Sequence, residues 1–216
     1  DDGMTLISHL GMSGRFRIFK KKAPALEKHD HVIIRTDRGI EVRYNDPRRF
    51  GFMDMADAST LIDHPLLKSI GPEPLSRNFD AGVLANALKD RQSPIKTVLL
   101  DQTVIAGLGN IYVSEALFRA EISPKRKAAS IVGTRANKLY KAITEVLNQA
   151  IVAGGSSISD HRQPSGELGY FQNSLGVYGR EGKACPGCSC KISKTGGIRR
   201  ILQSGRSTFY CSKRQR

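Results

Sequence analysis

Four cysteines, Cys185, Cys188, Cys190 and Cys211, carry the most specific chemistry in the chain. Cys185 and Cys188 form a C-x-x-C step around Pro186 and Gly187. Such a knuckle lets two thiolates share one tetrahedral zinc ion. The closing run "TFYCSKRQR" supplies Cys211, but Arg214 stands three residues on, where a second knuckle needs its other thiolate. A guanidinium stays protonated and cannot ligate. Two readings stay open. Zinc is held by Cys185, Cys188 and Cys211, with Cys190, a water or another group as fourth ligand; or the site is crippled and mostly metal-free. The clustering suits thiolate ligands in a reducing compartment better than a disulfide framework.

Two further motifs, "HLGMSG" from His9 and "DPRRFG" from Asp46, set a bulky apolar residue, Met12 or Phe50, among glycines. Phe50 also follows Arg48 and Arg49. A ring of this kind can enter a base stack while an arginine meets base edges or phosphates. The plainer alternative is a strand end with Phe50 in the core and the arginines solvated. In "AGLGNIYVSEAL", Gly107 and Gly109 precede a helix opening at Asn110. A glycine-rich turn into a helix N-terminus offers backbone N–H groups to a phosphate. It is neither a Walker motif nor G-x-G-x-x-G after a strand, and a bare helix-turn-helix is the plain alternative.

The elements that must position these residues divide the chain into four parts. Residues 1–57 read as strands, with "HVIIRTDRGIEVRY" as a hairpin in which Ile40, Val42 and Tyr44 alternate and "TDRG" turns. Residues 64–155 read as helices. "NFDAGVLANALKD" places Val83, Leu84, Ala87 and Leu88 at helical spacing with Asn78 as cap. "SPIKTVLLD" makes a short helix with Ser93 as N-cap and Pro94 in the first turn. "GNIYVSEALFRA" is a third helix. "TRANKLYKAITEVLNQAIVAGG" is the longest, with Leu139, Ile143, Val146, Leu147, Ala150 and Ile151 on one face and Gly154 and Gly155 ending it. Residues 156–180 hold a polar Ser/Gly/Pro loop, 156–173, and a connector; 181–216 form the cysteine-bearing tail.

The net charge of +14 points to a polyanionic partner. From position 182 to the end there are nine Lys or Arg and no Asp or Glu. Gly and Ser scattered through this tail argue against an amphipathic membrane helix, and no apolar run approaches the length that spans a bilayer. With 39% apolar and 25% charged residues, the composition is that of a soluble globular protein.

Taken in order, "HLGMSG", "DPRRFG", "LLDQTVIAGLGNIYVSEALF", "VYGREGKACPGC" and "GRSTFYC" resemble the bacterial formamidopyrimidine-DNA glycosylases, relatives of the endonuclease VIII-type repair enzymes. The resemblance runs along essentially the whole chain. It implies an α+β multi-domain fold: the remnant of an N-terminal β-sandwich, a helix–two-turn–helix domain and a C-terminal zinc-finger hairpin, with DNA in the cleft. It implies a base-excision-repair enzyme that excises oxidised purines and cleaves the abasic strand. The partner would be double-stranded DNA carrying oxidised bases or abasic sites, and the enzyme a cytoplasmic monomer with structural zinc.

Carried over residue by residue, Met12, Arg48 and Phe50 resemble the triad that fills the gap left by a flipped base. Arg48 would meet the widowed cytosine and Phe50 would wedge the step. His9, Asn110, Tyr178 and Arg206 resemble a phosphate-pinching set, Arg200 is a further basic position of the finger, and Lys96 resembles a lysine near the lesion pocket. Residues 156–173 resemble the loop that caps the extruded base.

Two departures stand out. The family's nucleophile is an N-terminal proline followed by a glutamate, and its secondary amine attacks C1′ to form a Schiff base. This chain opens on Asp1 and Asp2 and enters the family pattern just before "HLGMSG", so the segment carrying the proline, the glutamate and a catalytic lysine is expected to be absent and no catalytic residue is assigned. The expectation is a chain that binds DNA but does not cut it, with part of the sandwich core exposed. The second departure is Arg214, which is expected to weaken zinc binding and loosen the finger carrying Arg206. Competing readings are a non-catalytic damaged-DNA-binding protein, an endonuclease VIII-type enzyme for oxidised pyrimidines, and a zinc-ribbon RNA-binding protein.

Overall fold

The computed structural model describes residues 2–157, 164 and 167–216. By internal contacts the chain forms two compact units, Asp1–Lys68 with Ala150–Asn173, and Ser69–Gln149 with Ser174–Arg216.

The first unit is built on short antiparallel strands. β1 (Met4–His9) pairs with β5 (Phe52–Asp57), from Met4 against Asp57 to His9 against Phe52. β2 (Arg15–Phe19), β3 (Asp30–Arg35) and β4 (Glu41–Asn45) form a second sheet in the order β2-β4-β3. The β3–β4 hairpin is the one expected, turned at Gly39 with φ +72°. Its burial pattern differs from the expected alternation. Ile40 and Val42 are only half-buried, whereas Arg43, Tyr44, Asn45 and Asp46 are buried. Arg43 tolerates this because every part of its fork is used: Nε donates to Glu41 at 2.6 Å, Nη2 to the Pro24 carbonyl at 2.7 Å, and Nη1 to Asp30 at 3.3 Å. A buried guanidinium is stable only when paired in this way. Apolar side chains of these strands, Met4, Leu6, Ile18 and Met55 among them, are exposed.

The second unit holds the main apolar core. α1 (Ala81–Leu88) buries Leu84 and Leu88. Its cap is Asp80, whose carboxylate accepts from the Val83 N–H at 2.8 Å, and not Asn78. An Asp directly before the first turn reaches N3, which a residue two positions earlier cannot. α2 (Ile95–Leu99) follows Pro94, which is still extended at ψ 137°, and Ser93 caps nothing there. The Ile95 N–H donates instead to Arg126 across an isolated bridge between Pro94 and Lys127. α3 (Asn110–Arg119) and α4 (Thr134–Val152) complete the helices. Along α4, Leu139, Ile143, Val146 and Ala150 are buried, each large apolar side chain contributing about 1.5–3 kcal/mol. Ile151 is exposed although its neighbour Ala150 is buried, because the buried face of the helix runs through residues 139, 143, 146 and 150 and not through 151. Gly154 and Gly155, at φ +71° and +88°, end it.

The tail contributes a one-turn helix, α5 (Ile192–Thr195), and a hairpin, β6 (Arg199–Gln203) against β7 (Arg206–Tyr210). Its turn residues Ser204 and Gly205 both have positive φ, the geometry that matches strand twist in a two-residue hairpin. The four-part division expected above separates this tail from the helices. The contacts join them, because Phe118 of α3 shares one buried cluster with Val177, Cys185, Ile198, Phe209 and Cys211. A 36-residue finger has too little apolar surface to make a core alone. Of the polar loop, residues 158–163 and 165–166 lie outside the described residues. At its ends, Ser156 bridges Tyr170 and Phe171–Ser174 forms a 3-10 turn.

Candidate nucleic-acid interface and metal centre

In the first unit one carboxylate organises both glycine-rich motifs. Asp46 accepts from Ser13 Oγ at 2.6 Å, the Gly51 N–H at 2.9 Å, the Tyr44 hydroxyl at 3.1 Å and the Arg48 N–H at 3.3 Å. Burial alone would raise its pKa, but these four donors hold it down at about 2. Tyr44, buried and facing that carboxylate, is pushed up to about 12. Its hydroxyl occupies the space where a Cβ at Gly14 or Gly51 would stand, which explains both glycines. A Cβ at Gly11 would come within 2.6 Å of the Phe50 carbonyl carbon. The two loops are therefore locked against each other.

What the lock presents is Met12, 65% exposed, and Phe50, 58% exposed. The core alternative for Phe50 is thereby excluded. The Arg48 guanidinium stacks over the Phe50 ring at 4.9 Å, and Arg49 takes φ +56° between them. His9 is exposed and stacks on Phe52 at 5.1 Å. The Gly11 N–H donates to its Nδ1 at 3.1 Å, which leaves Nε2 to carry the proton of the neutral ring.

The second unit gathers the other basic and polar residues named above. Asn110 opens α3, whose N-cap, Gly109, brings no side chain to the first turn. Asn110 Nδ2 donates to the Tyr178 hydroxyl at 3.3 Å and to the Ser207 carbonyl at 3.1 Å, while Oδ1 is buried without a partner. Arg206, exposed, begins β7 one residue before Ser207. Arg200 Nε donates to Ser207 Oγ at 3.1 Å. Lys96 is fully buried in α2, and its amine has no partner. Burial, reinforced by the charge of Arg206, pulls its pKa down to about 8. Asn110 thus links the start of α3 to Tyr178 and to β7, where Arg200 and Arg206 flank Ser207, and Lys96 lies close enough to Arg206 to feel its charge.

Sequence reasoning missed the residues that hold this arrangement. Glu115, buried in α3, accepts from the N–H groups of Gly176, Val177 and Tyr178 at 2.8, 2.9 and 2.9 Å and so sets the segment carrying Tyr178. Gln102 braces the glycine turn: Oε1 accepts from the Gly107 N–H at 2.8 Å and Nε2 donates to the Leu108 carbonyl at 3.1 Å. The only available signal was a charged residue on the apolar face of α3. Asp46 stands within "DPRRFG", where no local pattern sets it apart from the arginines beside it.

The four cysteine Sγ atoms lie within 4.8 Å of one another, Cys190 included. Sγ of Cys190 and Cys211 are 3.8 Å apart. With zinc–sulfur bonds of 2.3 Å, a tetrahedron has sulfur–sulfur edges of about 3.8 Å, so the donor set fits that ion in number, kind and spacing. Burial and the neighbouring thiols push the Cys185 thiol up, so a cation beside it is needed to draw that sulfur into its ligating form. Arg214 lies outside the cluster: Nη1 donates to the Pro186 carbonyl at 3.1 Å and the guanidinium stacks over Phe118 at 4.7 Å.

Comparison with known proteins agrees with this geometry. The formamidopyrimidine-DNA glycosylase N-terminal domain family matches residues 1–53, and the formamidopyrimidine-DNA glycosylase H2TH domain family matches residues 70–162. The formamidopyrimidine-DNA glycosylase of Rhodospirillum rubrum is 56% identical over 216 residues, which are all of this chain and 77% of that protein. A complex of Lactococcus lactis Fpg with DNA containing an abasic site superposes with a TM-score of 0.84 at 37% identity, over 99% of this chain and 75% of that one. MutM in complex with DNA containing carbocyclic 8-oxo-G gives a TM-score of 0.84 at 38% identity, over 100% and 76%. The chain belongs to the formamidopyrimidine-DNA glycosylase family.

Proposed function

We propose that this chain is the DNA-gripping and lesion-exposing part of a base-excision-repair glycosylase with AP lyase activity, acting on oxidised purines in double-stranded DNA. The observation that carries the reading is the hydrogen-bonded joint at which Asn110, at the open N-terminus of α3, meets Tyr178 and the Ser207 carbonyl next to Arg206. Holding the backbone beside a lesion requires such a set, because flipping a base costs a few kcal/mol that phosphate contacts must offset. His9 adds a donor in the first unit. Met12 and Phe50 are exposed apolar groups on braced loops, suited to occupy the vacated stack, with Arg48 beside them for the orphaned base. Lys96 lies near the lesion in this reading, Arg200 steadies the hairpin, and residues 156–173 cap the extruded base. Cys185, Cys188 and Cys211 hold a zinc ion that supplies folding energy to the finger.

The glycosylase step needs an amine that attacks C1′ as the damaged base departs, leaving a Schiff base that the lyase step resolves. The amine implied by the family resemblance is an N-terminal proline. Joined to a segment that supplies this proline, the chain should be trapped as a covalent adduct when incubated with a duplex carrying oxidised guanine opposite cytosine and then borohydride. Absence of an adduct would overturn this part of the reading. Binding is tested separately with an abasic-site duplex. Arg206→Ala should weaken it and reduce the salt dependence, log K against log salt, by about one unit. An unchanged slope removes Arg206 from the phosphate contacts.

A further inference from the structure

We propose that Cys190 is the fourth ligand of the zinc ion in this chain, and that Arg214 has taken over the mechanical task of a thiolate at its position by tying the first knuckle to α3. The inference rests on the reading of the cysteine cluster as a zinc site and names its ligand set.

The argument for Cys190 is geometric. It stands two residues after Cys188, so the chain must double back at once to bring a third thiol to the same point. Lys213 holds that short return: its Nζ donates to Ser189 Oγ at 3.1 Å and to the Ser189 carbonyl at 3.4 Å. The 3.8 Å separation of the Cys190 and Cys211 sulfurs is a tetrahedral edge, closed across the 21 residues that separate these two positions in sequence. Three ligands thus come from a six-residue stretch and one from the end of β7, instead of two from each side.

The argument for Arg214 is that its partners are all structural. Nη1 reaches the Pro186 carbonyl at 3.1 Å and, more weakly, the Gly187 carbonyl at 3.5 Å, the two residues inside the C-x-x-C turn. A Cβ at Gly187, which has φ +67°, would stand 3.1 Å from the same Nη1. On the other side, Nε lies 3.4 Å from Glu121 Oε1, just past the end of α3, and the guanidinium covers the Phe118 ring. A metal-bound cysteine would fasten position 214 to the knuckle through the ion. Arginine fastens it through backbone carbonyls, and reaches α3 as well. Lys213 and Arg214 also place positive charge beside a centre that, with four thiolates and Zn²⁺, carries two negative charges.

Cobalt(II) substitution reads the ligand set directly through its visible and thiolate charge-transfer absorption. The 216-residue chain should bind one cobalt with a four-sulfur spectrum. Cys190→Ser should lose about a quarter of the charge-transfer intensity and bind cobalt at least tenfold more weakly. The double variant Cys190→Ser with Arg214→Cys should regain the four-sulfur spectrum, and Arg214→Ala should keep it while speeding amide exchange in residues 187–190. A Cys190→Ser spectrum identical to the parent's removes Cys190 from the set and leaves the zinc reading standing. A parent chain that binds neither cobalt nor zinc overturns both. If Cys190→Ser does not fold, zinc-edge X-ray absorption of the unaltered chain decides. Four sulfur neighbours support the proposal, and three sulfurs with one lighter atom sink it.

Discussion

Asp46 is the side chain on which the exposed Met12 and Phe50 depend, although it touches neither. It gathers four donors from both loops, and its low pKa measures how strongly they favour the charged form. Because that pKa lies below the ordinary value, the stabilisation is fully present above about pH 4 and is lost as the pH falls from about 4 towards 2. Asp46→Asn keeps the shape but turns one oxygen into a donor facing donors. Denaturant unfolding at pH 7 should show a loss of about 1.5–3 kcal/mol, and the acid sensitivity between pH 4 and 2 should shrink. Equal acid sensitivity in the two proteins would remove Asp46 as its source. Lys96 presents the opposite case, a cation buried without a partner. Among the described residues nothing offsets that cost, and the reading proposed above places the amine near the lesion.

Among the elements, α3 does the most positioning. Its first residue is Asn110, its middle carries Glu115, and Phe118 near its end enters the core shared with the finger. Three consecutive N–H groups converge on the Glu115 carboxylate, so Glu115→Gln should cost about 1–3 kcal/mol by urea unfolding and disturb the ring of Tyr178. A variant as stable as the parent, with an unmoved Tyr178 resonance, would show that the segment is held otherwise. This element also marks where the sequence is legible. Helix existence follows from periodicity, and α3 and α4 lie where their apolar spacing puts them. Caps are harder to read, since Asn78 and Asp80 are both good caps and only the start of the helix chooses between them. The β4 pattern misleads for another reason. Periodicity assumes that charge stays outside, whereas Arg43 goes inside because Glu41, Asp30 and two carbonyls wait for it. The site residues were legible only through motifs. Glu115 braces its segment across more than sixty residues, a contact no local pattern records, whereas Gln102 and Asp46 act mostly on near neighbours through turns that periodicity does not describe.

For the molecule as a whole, the division by contacts reorders the parts read from the chain. The finger is a limb of the helical unit, and the last turn of α4 and the segment after it belong with the strands. The path therefore visits the strand unit, the helical unit, the strand unit and the helical unit again, crossing between them three times. Synthesis from the amino terminus gives this interleaving a temporal meaning. The sheets of the strand unit pair within residues 4–57, but the unit is complete only once residue 173 has left the ribosome, by which point α1 to α4 are already outside. The helical unit stays open longer still, since Val177, Ile198 and Phe209 arrive last. Neither unit can finish folding before the other has largely been made, so a nascent chain must carry exposed apolar surface through most of its translation.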